Sequence, residues 1–244
     1  MGAAVLCSRG ALRVGAGLVY LGVPPQSRDA INLATPEVIA AAGDKSRDFS
    51  NAIQKANSIA VGPGLGWRRT IGRDLLFDLS EQKFTGPVVL DADGLIAFVN
   101  EISTLEKFKL NLILTPHPGE MGRLLGRKSE DIQKNREKTA SAAAQLFNCV
   151  VVLKGYNTVI ADGSGRVQVN ETGNPGMATA GVGDVLTGMI AGLAAQGLSP
   201  WEAAVAGVYL HGLAGDLAAA EKGEYGMIAS DLTEKIPDAI QKIS

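Results

Sequence analysis

The sequence predicts an α/β protein with a mainly parallel sheet. Short apolar, β-branched runs such as Pro87–Leu90 and Val150–Leu153 alternate with helix-length segments. Nearly all chemically suggestive groups come directly after such runs, and in an open α/β sheet ligands bind at the carboxyl ends of the strands. Hydrophobic residues make up 46% of the 244 positions and charged residues 20%, with no internal repeat and no shift in composition. That reads as one globular domain over 1–244.

Gly2 to Val14 reads as a helix and Leu18 to Val23 as a strand. A helix at the very start implies a sheet lacking an edge or central strand that should precede it. The polar segment Gly43 to Phe49 reads as a flexible loop. Ser50 to Asn57 is expected to be helical, Ser58 to Val61 a short strand, Arg69 to Glu81 a helix and Pro87 to Leu90 a buried strand. Leu112 to Leu114 is the next strand, and Glu130 to Phe147 the next helix. Val150 to Leu153 follows as a strand. Thr158–Ala161 and Arg166–Val169 flank Asp162-Gly163-Ser164-Gly165, a good hairpin turn. Two helices close the fold, Asp184 to Ala195 and Pro200 to Ala219. The second opens Ser199-Pro200-Trp201-Glu202, with a capping serine, proline at the first helical position and glutamate at the third.

Composition excludes several classes. Lys and Arg total 23 against 25 Asp and Glu, a formal charge of -2, so there is no concentrated positive field for a nucleic-acid backbone. Aromatic residues, at 5%, offer no stacking platform for single strands. Cys7 and Cys149 stand far apart in apolar surroundings and read as buried thiols. His117 and His211 are the only histidines, which rules out a histidine-rich zinc site. No charge-free run reaches the length of a membrane span and no signal-peptide pattern follows Met1, so the expected compartment is the cytoplasm.

The most informative stretch is Asn174-Pro175-Gly176-Met177-Ala178-Thr179-Ala180-Gly181-Val182-Gly183-Asp184. It carries one carboxylate to the start of a long apolar helix. A helix N-terminus presents unpaired N–H groups and the positive end of a dipole, so it holds anions. Gly181, Val182 and Gly183 leave amides uncovered that could stabilise a transferring phosphoryl group, and Asp184 could take the proton of an attacking hydroxyl. A plain N-cap would account for Asp184 but not for the whole glycine-rich run.

Four other segments follow strands. Gly62-Pro63-Gly64-Leu65-Gly66 could line an anion nest or serve as a turn alone. Asp91-Ala92-Asp93-Gly94 suits magnesium through water, hydrogen bonds to a sugar or amide, or an Asx turn. Thr115-Pro116-His117-Pro118-Gly119-Glu120 holds an imidazole between two prolines, fit to meet an amide, hydroxyl or phosphate, while Glu120 could cap the next helix. Lys154-Gly155-Tyr156-Asn157-Thr158 offers a cation and a hydroxyl without P-loop spacing; a solvated lysine is its plain alternative.

Together these stretches resemble the ADP-dependent NAD(P)H-hydrate dehydratases of the ribokinase-like superfamily. The matching segments are residues 2–21, VGPGLG at 61–66, LDADGL at 90–95, LTPHPGE at 114–120, LKGYNTVIADG at 153–163 and NPGMATAGVGDVLTGMIAGLAAQG at 174–197. The resemblance implies a ribokinase-like three-layer α-β-α fold. It also implies a further strand and a glycine-serine segment ahead of Gly2, which these 244 residues lack. By resemblance, ADP donates its terminal phosphoryl group to the ring hydroxyl of (6S)-NADHX or (6S)-NADPHX, and phosphate then leaves to restore the reduced cofactor. Asp184 is then the base and a contact to the hydrate; Gly183 and Lys154, Gly155, Tyr156, Asn157 and Thr158 meet the nucleotide. Ala3, Gly64 or Gly66, and His117 meet the hydrated cofactor. Magnesium, a homotetrameric assembly and functional pairing with an NAD(P)HX epimerase are further implications. The NPGMAT wording resembles the bacterial ADP-using branch. The alternative is another ribokinase-like enzyme, such as a hydroxymethylpyrimidine or sugar kinase. A nicotinamide dehydrogenase would need an early strand–GxGxxG–helix unit, which Gly62–Gly66 meets poorly.

Overall fold

A computed structural model describes residues 1–66, 69–99 and 101–243. The chain opens with α1 (Gly2–Arg13), β1 (Tyr20–Val23), α2 (Arg28–Ala34), β2 (Ile39–Ala42), α3 (Ser50–Ile53) and β3 (Ile59–Val61). It continues with α4 (Arg69–Glu81), β4 (Pro87–Leu90), α5 (Asp93–Ile96), α6 (Ile102–Leu105) and β5 (Asn111–Leu114). Then come α7 (Pro118–Leu125), α8 (Ser129–Lys134), α9 (Arg136–Phe147) and the strands β6 (Val150–Leu153), β7 (Val159–Ala161) and β8 (Val167–Val169). Three helices finish the chain: α10 (Val182–Ala195), α11 (Pro200–Lys222) and α12 (Ala229–Gln241).

Strands β3 to β8 form one sheet in sequence order, β3 to β6 parallel and β7 and β8 antiparallel. Successive side chains on a strand point to opposite faces, and the apolar runs at β4, β5 and β6 are apolar on both. Val88, Leu90, Leu112, Leu114, Val151 and Leu153 meet Leu76 and Leu79 of α4, Met121 of α7 and Ala140 of α9. Val89, Ile113, Val150 and Val152 turn the other way, onto Leu186 and Ile190 of α10 and Ala204 and Val208 of α11. The result is a three-layer α-β-α sandwich. Among the described residues, strands β1 and β2 are parallel and pair only with each other, so β3 is an edge of the six-stranded sheet.

Helix α1 lies directly against α10. A Cβ on Gly188 would stand 1.8 Å from the Cys7 carbonyl oxygen, and one on Gly10 would stand 2.4 Å from that of Val185. At these two positions backbone meets backbone, because glycine has no side chain to keep the helices apart.

Several expectations are corrected. The predicted helix 130–147 is broken at Asn135, whose φ of -136° and ψ of 45° are not helical. The segment Gly43–Phe49 is ordered rather than loose, because Asp48 accepts the backbone N–H groups of Asp44 and Lys45 and starts a 3-10 turn at Ser46–Phe49. The helix expected over 50–57 stops at Ile53, and the first strand starts at Tyr20. Helices α2, α5, α6 and α12 and strand β2 were not expected, and α7, given no range from the sequence beyond a helix for Glu120 to cap, starts at Pro118. Helix α11 is long and apolar enough by composition to cross a membrane. Here it packs between α10 and α12 with Ala203, Ala204, Val208, Ala214 and Ala218 buried. The reading of Ser199 and Glu202 as its capping box holds, with both reciprocal hydrogen bonds present.

Candidate active site

The corner is built at the carboxyl ends of β3, β4, β5 and β6. Gly181, at φ +89°, is the N-cap of α10, and the first intrahelical bond runs from the Val185 N–H to the Gly181 carbonyl. The N–H groups of Val182, Gly183 and Asp184 therefore have no partner within the helix. No side chain caps them, because Gly181 has none to offer. A Cβ on Gly181 would fall 2.4 Å from Leu6 of α1, so α1 holds the turn from beneath.

Asp184 is the third residue of α10 and does not cap it. Its carboxyl is half-buried and is pushed up to about 6, first by burial and then by the charge of Asp91; Lys154 pulls it partly back. A carboxylate at that level can take a proton near neutral pH.

Lys154, just past β6, is anchored by its own N–H to the Pro116 carbonyl at 2.9 Å. It is not the solvated lysine of the plain alternative. Its Nζ is 2.6 Å from Asp91 Oδ1 and 3.9 Å from Glu120 Oε2, and a Cβ on Gly183 would stand 3.4 Å from it. The ammonium thus sits beside Gly183. The other oxygen of Asp91 accepts the Thr187 hydroxyl at 2.6 Å. Asp91 is 1% exposed with both oxygens engaged, a paired buried charge and not an Asx turn.

His117 is the N-cap of α7. Its Nδ1 accepts from Gly119 N–H at 3.0 Å and Glu120 N–H at 3.4 Å, while Glu120 Oε2 accepts the His117 N–H at 2.8 Å. Capping and presentation coincide: Nδ1 faces the helix, Nε2 lies 3.6 Å from Glu120 Oε1, and about half of the side chain stays exposed. Gly64 and Ala3 are brought together: a Cβ on Gly64, at φ +77°, would be 3.5 Å from the Ala3 Cβ. Gly66 N–H donates to Asp93 Oδ2 at 2.7 Å, and the space above Gly66 is open.

The turn Gly155–Thr158 leaves β6 beside this corner. Thr158 Oγ1 donates to the Gly155 carbonyl at 3.0 Å, Asn157 has a positive φ of 53°, and Tyr156 is 86% exposed. Arg136, which the sequence did not single out, donates to the Leu153 and Asn157 carbonyls and closes the turn. Asp216 of α11 was missed as well. It accepts the Gly173 N–H and the Asn174 side-chain amide, each at 3.0 Å, and so fixes the loop leading to Gly181. Thr187, Arg136 and Asp216 carry no local sequence signal, because the bonds that place them in this corner reach partners at least 17 positions away.

Among the described residues, no group of three or more His, Cys, Asp or Glu is placed to hold a metal. The donor set fits magnesium only in its usual form, keeping several waters and taking most of its protein-side charge from nucleotide phosphates.

Residues 1–238 match the protein family described as NAD(P)H-hydrate dehydratase. The chain is 43% identical to a bifunctional NAD(P)H-hydrate repair enzyme of Moorella thermoacetica, over 99% of this chain and 47% of that one. It is 39% identical to an ADP-dependent (S)-NAD(P)H-hydrate dehydratase of Neisseria meningitidis, over 95% of this chain and 78% of that one. A crystal structure of an ADP/ATP-dependent NAD(P)H-hydrate dehydratase from Bacillus subtilis, co-crystallised with ATP/Mg2+, superposes with a TM-score of 0.85 at 31% identity, covering 100% of this chain and 85% of that one. The chain spans about half the length of the bifunctional relatives it matches. With unpaired amides, a half-buried aspartate and a paired lysine set on this sheet, the chain belongs to the NAD(P)H-hydrate dehydratase family of ribokinase-like proteins.

Proposed function

We propose that this chain catalyses the ADP-dependent dehydration of (6S)-NADHX and (6S)-NADPHX, giving the reduced cofactor, AMP and phosphate. The observation that carries the reading is the first turn of α10. Unpaired N–H groups, the Lys154 ammonium and a carboxyl at about 6 all meet within one helical turn. Amides and a cation there stabilise charge on a phosphoryl group in transit, and the carboxylate takes the proton of the attacking alcohol.

In this mechanism Asp184 removes the proton of the ring hydroxyl, whose oxygen forms a bond to the terminal phosphorus of ADP while the bond to the bridging oxygen breaks. AMP leaves with that electron pair. The lone pair of the ring nitrogen then expels phosphate, and loss of a proton from the adjacent carbon restores the double bond. Phosphate leaves far more readily than hydroxide, which is why a dehydration suits a phosphotransfer fold. Lys154 and the Gly155–Thr158 turn hold the nucleotide, Gly183 meets its phosphates, and Ala3, Gly64, Gly66 and His117 face the hydrate. Magnesium, held mainly by the nucleotide phosphates and water, would neutralise phosphate charge. The reading extends to a homotetramer in the cytoplasm and to an NAD(P)HX epimerase supplying the S epimer. The bifunctional description of the relatives supports such a pairing.

The test is to incubate the protein with hydrated NADH and ADP and follow AMP, phosphate and NADH together. One-to-one-to-one formation is expected. A stable phosphorylated product without phosphate release would favour a small-molecule kinase instead, and no turnover would overturn both.

A further inference from the structure

His211 sits in the middle of α11, 7% exposed, and the chemistry above makes no use of it. Its Nε2 is 2.9 Å from the carbonyl oxygen of Val182. A carbonyl can only accept, so the ring presents Nε2–H. Burial, with the nearby Lys154 charge acting in the same direction, lowers its pKa to about 4, so the ring is neutral at working pH.

The Val182 carbonyl and the Gly183 N–H belong to one peptide group. That group is planar and trans, so its C=O and N–H point in opposite directions. A hydrogen bond from α11 to the oxygen therefore fixes where the Gly183 amide points. The restraint matters because Gly183 lacks a side chain to limit its backbone. Thr187 Oγ1 also approaches this turn, 3.2 Å from the Gly183 carbonyl. Its single proton is claimed by the shorter 2.6 Å bond to Asp91. Among the described residues, His211 is the side-chain donor to the Val182–Gly183 peptide group.

We propose that His211 is a positioning residue: through its Nε2–H bond to Val182 it aims the Gly183 amide at the phosphoryl group in transit. This rests on the phosphotransfer reading of the corner, and the experiment separates the two.

The experiment compares wild type with His211→Gln, His211→Asn and His211→Phe. Glutamine places its amide nitrogen as many bonds from the backbone as Nε2, whereas asparagine is one short, so the two amides differ in reach and little in polarity. On hydrated NADH and ADP, Gln is expected to keep kcat within about fivefold of wild type. Asn and Phe are expected to lose about 10- to 100-fold in kcat, less than the loss of an oxyanion donor outright (about 10²–10³-fold) because the amide is misaimed and not removed, with KM for ADP moving less than about threefold. A second readout needs no turnover. In ¹⁵N-labelled protein titrated with ADP, the Gly183 amide should shift in wild type and Gln, and shift much less in Asn. Equal kcat for Gln and Asn, or an ADP-induced Gly183 shift unchanged in Asn, would overturn the assignment, even if Phe fails to fold. Absence of turnover in wild type would instead count against the proposed function, and the amide shift would still decide the role of His211.

Discussion

Replacing Asp184 by Asn should remove the activity and stabilise the fold, in amounts linked by one carboxyl. The group lies at about 6 in the folded chain against an ordinary value of 3.8. A raised carboxyl means that the folded state holds its proton more tightly than the unfolded state. Stability is therefore lost as pH climbs from 3.8 towards 6, and stays lost above. Between those values the gap corresponds to at most about 3 kcal/mol at pH 7. Asp184 is only part-buried, and screening by solvent brings the figure to about 1.5 kcal/mol. For a domain of this size that is a gain of about 3–6 °C in Tm for the Asn variant at pH 7, shrinking to nothing near pH 4. Turnover of hydrated NADH should fall by about 10²–10⁴-fold, the usual contribution of a positioned base. In wild type, kcat/KM should rise with pH through about 6, because the base must be ionised. Calorimetry at pH 4 and 7, with a pH profile of activity, checks all of this. An Asn variant with the same Tm as wild type at pH 7, or the same advantage at pH 4, would refute the electrostatic reasoning. Retained turnover would refute the assignment of the base.

Three further outcomes follow from the same geometry. Lys154→Met leaves the Asp91 charge buried without its ion pair, so it should cost about 3–5 kcal/mol by urea unfolding, and adding Asp91→Asn should recover much of that loss. Asp216→Ala frees the Gly173 N–H and the Asn174 amide, and should raise KM for ADP about tenfold while changing kcat less; a KM within twofold of wild type would contradict the loop-anchoring role. Gly188→Ala puts a Cβ 1.8 Å from the Cys7 carbonyl, so it should force α1 away from α10 and lower Tm by several degrees. An unchanged Tm would mean that the two helices are not in backbone contact.

The sequence by itself determined the parts that depend on neighbours along the chain. The apolar runs at β4 and β6 fall where they are read, because burial on both faces leaves no polar position in them. The capping box at Ser199 and the hairpin at Asp162–Gly165 were legible for the same reason, since both are formed by residues within a few positions. The glycine-bounded Asp184 stood out because a helix that starts with glycine leaves its own amides bare. Tertiary structure decided the rest. It broke the 130–147 helix at Asn135, and it placed α12 against α1 and α11. Above all it brought Lys154 to Asp91 across 63 positions, Thr187 to Asp91 across 96 and His211 to Val182 across 29. No local pattern encodes such pairs. Their partners come from different strands and helices, and only the packing of the layers sets the distance between them.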